Sequence, residues 1–212
     1  MFKIGLFPLN LIIFPNSYYP LHIFENRYKV LIKDILEGEK KFGINYVSKA
    51  KMFEIGTVVE VAEILKKYEN GSIDIVIKGD SRFILDNLIE GVKPYFIGHC
   101  SEYNDTDNSY NIFELSELVD IYNEIVSSVF NLKSEVVSHK DFKDVSPSFF
   151  IAQKSGLEFS QKQELLELQS EDLRIKYLLR QLKNLLPQIK NVESIKKIIQ
   201  SDGYINPQKF DI

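Results

Sequence analysis

Along the chain the hydrophobic period changes once. From residue 4 to about residue 103, apolar positions come in short β-branched and aromatic runs separated by Gly, Pro and Asn, the signature of strands. Residues 72–78 place Ile73, Ile75 and Ile77 on one face, and residues 57–66 form a similar run just before them. Asn70-Gly71 lies between the two runs, and that dipeptide suits a tight turn with positive φ, so the pattern predicts a β-hairpin. Further strands are predicted at residues 42–48, 82–88 and 95–103. One helix interrupts them at residues 26–37, where Val30, Leu31 and Ile35 recur at helical spacing and Gly38 supplies a stop.

Residues 104–109 are polar and turn-rich and read as a linker. Beyond them the period becomes helical. Phe113, Leu115, Leu118, Ile121, Tyr122, Ile125, Val126 and Val129 fit one face of a long amphipathic helix. Ser146-Pro147 supplies an N-cap and an N1 proline for a short helix closing at Gly156. Ser160 and Gln163 have the spacing of a capping box. Ser170 caps the next helix, whose stripe is Leu173, Tyr177, Leu178, Leu182 and Leu185 and which Pro187 ends or kinks. A last helix is predicted at residues 192–200. The reading is an α+β chain with a β-rich subdomain at 1–108 and a helical subdomain at 109–212, without internal repeats.

Composition narrows the function classes. A chain of 212 residues with 44% hydrophobic and 26% charged residues buries a core without help from disulfides or metal. The formal charge of −4 provides no general attraction to nucleic acid or to an anionic membrane. Cys100 is the only cysteine, which points to a reducing compartment. Pro8, Asn10 and Pro15 break the apolar N-terminus, so it does not read as a signal peptide, and a cytoplasmic location is expected.

Catalytic patterns are scarce. The ten glycines never come closer than five positions, Gly38 to Gly43, which excludes dinucleotide and phosphate-loop fingerprints. His99 and Cys100 are neighbours on a predicted strand and point to opposite faces; with His22 and His139 they make no metal-ligand spacing. A lone cysteine is usually a buried, inert one. No cofactor is expected. Lys40, Lys41, Lys49, Lys51, Lys66 and Lys67 lie near Tyr46, Phe53 and Tyr68, a combination suited to single-stranded nucleic acid. Interspersed Glu37, Glu39, Glu54, Glu63 and Glu69 favour a solvated mixed-charge face instead.

One segment is too particular to be generic. Residues 6–15 read Leu-Phe-Pro-Leu-Asn-Leu-Ile-Ile-Phe-Pro, and residues 19–28 read Tyr-Pro-Leu-His-Ile-Phe-Glu-Asn-Arg-Tyr. They resemble the opening of the N-terminal, substrate-binding domain of Lon proteases. The motif residues are Phe7, Pro8, Phe14, Pro15, Pro20, Leu21, His22, Phe24, Glu25, Arg27 and Tyr28. Gly56, leading residues 56–64, resembles that family's second-hairpin strand; Gly79, Arg82 and Phe83 resemble its glycine-led turn. Residues 151–152 and 163–167 are similar to the stretch before its last helices, so the resemblance spans roughly residues 2–190.

The resemblance implies a PUA-like β pseudo-barrel followed by a C-terminal helical bundle. It implies recognition of exposed or unfolded polypeptide, with a protease or chaperone as partner. The chain as given holds neither the ATPase nor the Ser-Lys peptidase module of those proteases, so no enzymatic activity is expected. The motif residues themselves read as architecture. Pro8, Pro15 and Pro20 are expected to end strands; Phe7, Leu9, Leu21, Ile23 and Phe24 to enter the core; Arg82 to partner Glu25; and His22 to bond loop backbone. Exposed Tyr18, Tyr19, Tyr46 and Phe53 are the candidate polypeptide-binding residues. RNA binding through a PUA-like barrel is the alternative.

Overall fold

The computed structural model describes residues 1–189 apart from 39, 50, 90 and 131–135. They fall into two compact units, residues 1–104 and residues 105–189. The predicted helix at 192–200 lies outside the described residues.

The first unit runs β1 (Phe2–Leu6), β2 (Tyr18–Ile23), α1 (Asn26–Leu36), β3 (Lys41–Ser48), β4 (Lys51–Lys67), β5 (Ile73–Ile89) and β6 (Phe96–Glu102). The strand order is β2-β5-β4-β3-β1-β6, and β5 pairs again with β6. Five strands therefore close into a barrel, while β2 stays outside the ring. The sheet is mixed, because β1 runs parallel to β3 and every other pairing is antiparallel. The length of β5 permits the closure: one edge follows β4, and the other pairs with β2 over 73–78 and with β6 over 83–89.

Three sequence expectations change here. Residues 72–78 and 82–88 are one strand, and the Gly79-to-Phe83 segment is no turn; the register slips between Val58 and Val59, leaving Asp80 in a bulge that bends β5 onward. Pro20 does not end a strand but sits inside β2, opposite Val76. The proline is tolerated because β2 is the terminal strand of the sheet. Phe24 is not core: it lies between β2 and α1 with 63% of its surface exposed.

The hairpin turn is as the sequence predicts. Gly71 adopts φ +77°, and Asn70 Oδ1 accepts the Ser72 N–H at 2.9 Å.

Residues 7–17 are irregular, yet they hold the barrel together. The Phe7 N–H donates to the Gly43 carbonyl and the Leu9 N–H to Asn45, extending β1 along β3. The strap then crosses β5. There Asn16 N–H donates to the Gly79 carbonyl, Gly79 N–H donates to Ser17, and the Thr57 hydroxyl donates to the Ile13 carbonyl at 2.6 Å. Phe14 is fully buried at this crossing. A Cβ on residue 79 would stand 2.1 Å from the Phe14 carbonyl oxygen, so only glycine fits. The principal core cluster includes Phe7, Ile13, Ile23, Tyr28, Leu31, Phe42, Ile75 and Ile77, with Leu9, Tyr19 and Leu21 packed against it. A smaller cluster comprises Leu6, Val58, Phe83 and Cys100. Phe83 lies where Gly56 lacks a side chain; a Cβ there would meet its ring at 2.7 Å.

In the second unit the described residues form α2 (Ile112–Phe130), α3 (Pro147–Gln153), α4 (Phe159–Glu167), α5 (Glu171–Ile189) and a 3-10 turn at His139–Phe142. Leu115, Leu118, Tyr122, Ile125 and Val126 of α2 and Ile175, Leu178 and Leu182 of α5 are buried. Phe113 and Leu173, expected on those stripes, are exposed, each lying in the first turn of its helix. Glu158 and Gln161, rather than Ser160 and Gln163, form the capping box of α4, because the helix begins one residue earlier than Ser160. Pro187 lies inside α5, which continues to Ile189.

The polar centre of this unit is Arg174. Its guanidinium is fully buried, 2.6 Å from Asp105 and 2.7 Å from Glu171. Glu171 also accepts from the Ser148 N–H at 2.8 Å and from the hydroxyls of Ser148 and Ser146. Ser146 does hold the N-cap position of α3, but its hydroxyl serves Glu171 and Ser148 Oγ rather than the backbone of its helix.

Two stability outcomes follow. Gly79→Ala lowers unfolding free energy by about 3 kcal/mol, since backbone atoms on both sides must move. Arg174→Met costs about 3–5 kcal/mol by removing the cation that faces the buried Glu171 and the partly buried Asp105. Urea denaturation at neutral pH measures both.

Candidate binding surface

Strand β2 divides its side chains between two environments. Tyr19, Leu21 and Ile23 turn inward onto the principal core. Successive side chains alternate across a sheet, so Tyr18, Pro20 and His22 face the other way. Phe24 continues their row, its ring stacked on His22 with centroids 5.9 Å apart. From the hairpin end of β4, Tyr68 meets the His22 ring edge-on at 5.8 Å.

Asp74 fastens this group from below. One of its carboxylate oxygens lies 2.5 Å from His22 Nδ1, and the other accepts the Tyr68 hydroxyl at 2.6 Å. The Tyr68 hydroxyl, and after it the His22 ring, hold the Asp74 carboxyl below the usual carboxylate range. His22 is thus bound to a carboxylate on the neighbouring strand, not to loop backbone, because strand pairing sets it directly opposite Asp74. Two ammonium groups border the row: Lys78 Nζ is 6.0 Å from the Tyr18 ring centroid, and Lys66 Nζ is 4.6 Å from that of Tyr68. The surface is an aromatic row rimmed by cations, with its hydrogen-bonding groups fixed.

The remaining candidates lie elsewhere. Tyr46 is only 6% exposed, so it is not the open ring expected; it stacks on Phe53 at 5.2 Å, and Lys51 covers Phe53. Glu25 takes Arg27 as its partner, at 2.9 Å, in place of the anticipated Arg82. Those two residues flank the start of α1, whereas Arg82 is buried on β5 with its guanidinium over Tyr103. Arg27 also lies 4.5 Å from the Tyr28 ring centroid. Pro8 and Pro15 belong to the strap, and Phe7, Phe14, Tyr28 and Phe83 are buried. Arg82 lines a cleft of about 610 Å³ with Ile4, Lys41, Val58, Asp80 and Glu102, where Lys41 is paired to Asp80 at 2.9 Å. Among the described residues no group of three or more His, Cys, Asp or Glu stands close enough to hold a metal ion. Cys100 is buried on β6, and burial, with the Asp86 charge, pushes its thiol up to about 12, so it carries no thiolate at neutral pH.

Sequence reasoning found Tyr18 but assigned His22 and Phe24 to structure and passed over Asp74. The signal was present: alternation in residues 72–78 sets Asp74 on the polar face, and the Asn70-Gly71 turn brings Tyr68 back toward it.

Comparison with known proteins identifies the family and the fold. The family model for the ATP-dependent protease La (LON) substrate-binding domain matches residues 3–184. A Lon N-terminal domain protein from Xanthomonas campestris superposes with a TM-score of 0.68 at 20% identity, over 85% of this chain and 98% of that one. The N-terminal domain of Lon protease from the Mycobacterium avium complex gives a TM-score of 0.64 at 13% identity, over 87% and 98%. At those identities the structures share the fold. A search of curated sequences finds no match.

Lowering pH should release the aromatic group. A carboxyl whose folded value is depressed stabilises the fold above its unfolded value and loses that contribution as pH falls through the folded value. NMR titration of Asp74 should therefore show a midpoint below that of a free aspartate, rising in Tyr68→Phe.

Proposed function

The chain belongs to the family of Lon substrate-binding domains, and from that premise we propose that it is a non-catalytic module recognising exposed segments of unfolded polypeptide. The observation that carries this reading is the row of Tyr18, Pro20, His22 and Phe24 on the outward face of β2, closed by Tyr68. Phe24 is exposed to 63% but is not solitary, and contiguous exposed aromatic groups framed by polar side chains characterise binding surfaces. Pre-fixed rings lose little side-chain entropy on binding. The Asp74 bonds supply that fixation, because His22 and Tyr68 are both held before any ligand arrives. Lys66 and Lys78 add a rim that favours acidic residues beside the apolar ones in a captured segment. In this role the module hands polypeptide to a protease or chaperone, and the barrel is the rigid support for its recognition face.

RNA recognition finds no comparable support. Lys41, one of the lysines that would serve it, is committed to Asp80. Neither the family model nor the two similar structures carries a nucleic-acid description.

Phe24→Asp should weaken binding of a fluorescein-labelled, permanently unfolded model polypeptide by about tenfold, on the order of the loss of one buried aromatic anchor. Its melting temperature should stay close to that of the parent chain, since the ring is outside the core. Fluorescence anisotropy at fixed ionic strength measures the affinity, and unchanged affinity in Phe24→Asp would remove the proposed surface.

A further inference from the structure

The backbone of β2 carries a second kind of information. The Gly79 N–H donates to the Ser17 carbonyl at 2.8 Å, immediately before β2 begins. Residue 17 thus occupies a hydrogen-bonded position against β5. In an antiparallel ladder these positions recur every second residue, so Tyr19, Leu21 and Ile23, opposite Ile77, Ile75 and Ile73, exchange bonds with β5. Tyr18, Pro20 and His22 point their backbone groups the other way. Among the described residues no strand lies on that side, β2 being the last in the sheet order.

The outer edge therefore offers three carbonyl acceptors, from Tyr18, Pro20 and His22, but only two N–H donors, from Tyr18 and His22. Pro20 has no N–H to give. A proline at the centre of an edge strand blunts it against indiscriminate pairing. Here it leaves a pattern of its own, donor and acceptor at each end and an acceptor alone between them.

We propose that β2 captures a polypeptide by adding it as an antiparallel strand along this edge, so that the occupant is an extended segment of about five residues with apolar side chains at alternate positions. This rests on the reading of the chain as a polypeptide-binding module and names how the binding is done. Two features converge on that occupant. Residues of an added strand directly opposite Tyr18, Pro20 and His22 project to the same face as these side chains, which is the face bearing Phe24 and Tyr68. Main-chain bonds then hold the segment irrespective of sequence, and the aromatic row favours apolar alternation. The residue opposite Pro20 donates its N–H to the Pro20 carbonyl, while its own carbonyl finds no donor. That register mark distinguishes the edge from one with uniform spacing. A folded partner meets this demand only through an edge strand left unprotected, and folded proteins generally blunt such edges. A second copy of the chain does not meet it. Antiparallel pairing of two β2 strands about Pro20 sets two donor-less prolines opposite each other and loses both central bonds.

The test uses the whole chain and three synthetic ten-residue peptides: one alternating valine and threonine, the same peptide N-methylated on one alternate set of amides, and the same N-methylated on the other set. Side chains are constant, so only main-chain pairing varies. The parent peptide should bind, and methylating the amides that face the edge should weaken binding at least tenfold, the equivalent of one to two net hydrogen bonds. Methylating the set that faces away should leave affinity within about twofold. Hydrogen exchange followed by NMR should show the Tyr18 and His22 amides becoming protected at least tenfold on binding, with Leu21 unchanged. Pro20→Val restores the missing donor and should tighten the parent peptide by about fivefold to tenfold.

Equal affinity for all three peptides, or binding without protection of the Tyr18 and His22 amides, overturns strand addition while leaving the aromatic surface as the site. Absence of binding by any peptide and by the unfolded model polypeptide overturns the functional reading itself. A dimer in sedimentation equilibrium that the parent peptide does not dissociate, and whose formation protects the same two amides, overturns the proposal in favour of self-association.

Discussion

The first unit depends on one crossing of backbone over backbone. The strap of residues 7–17 passes β5 at Gly79, close enough that a methyl group would collide with the Phe14 carbonyl. Everything distal to the crossing inherits its geometry. The strap's beginning extends β1 along β3 and helps complete the ring; its end delivers Tyr18 to β5 already in register, through the bond between Gly79 and Ser17. The crossing is therefore the point from which both the closed barrel and the open edge of β2 are set. The motif in residues 6–28 that resembles a known family is largely the chemistry of this passage: prolines to hold an extended path, Phe14 to fill the space beneath it, and small or polar residues to bond where it crosses.

Closure and openness are linked through β5. Seventeen residues exceed what one neighbour uses, so β6 takes the second half of the free side and β2 the first. The barrel disposes of its edges by closing on itself, and the remaining edge is transferred to β2. That strand is short, contains a proline and carries side chains held by Asp74. These are the features by which an edge is kept from unselective pairing while its outer groups remain in reach.

Most of the fold was legible because periodicity reports it directly. The hairpin at Asn70-Gly71, the helix at residues 26–36 and the change to helical spacing after residue 110 follow from local rules. Apart from the shifted start of α4 and the exposed first-turn residues Phe113 and Leu173, the failures turned on contacts distant in sequence. Pro20 reads as a terminator until its place at the sheet edge is known. Gly79 reads as a turn until the strap is seen above it. Phe24 and His22 read as motif and hence as architecture, although both stand exposed while Phe7, Phe14, Ile23 and Tyr28 of the same segment are buried. Arg82 was paired with Glu25 on charge alone, and no local rule gives the position of β5 relative to α1. The binding surface was harder still, since its members come from β2, the β4 end and β5, and only the tyrosines advertised themselves.

Arg174 in the second unit has a consequence for the order in which the chain acquires structure. Its partner Asp105 is 69 residues away, at the opposite limit of the described part of that unit. Local helices can form as they are made, but this charge cluster cannot close until α5 has emerged. Until then Glu171, Ser148 and Asp105 remain hydrated. The second unit can thus complete this cluster only once α5 is available, whereas the strap of the first unit finds its partners Thr57 and Gly79 much earlier in the chain.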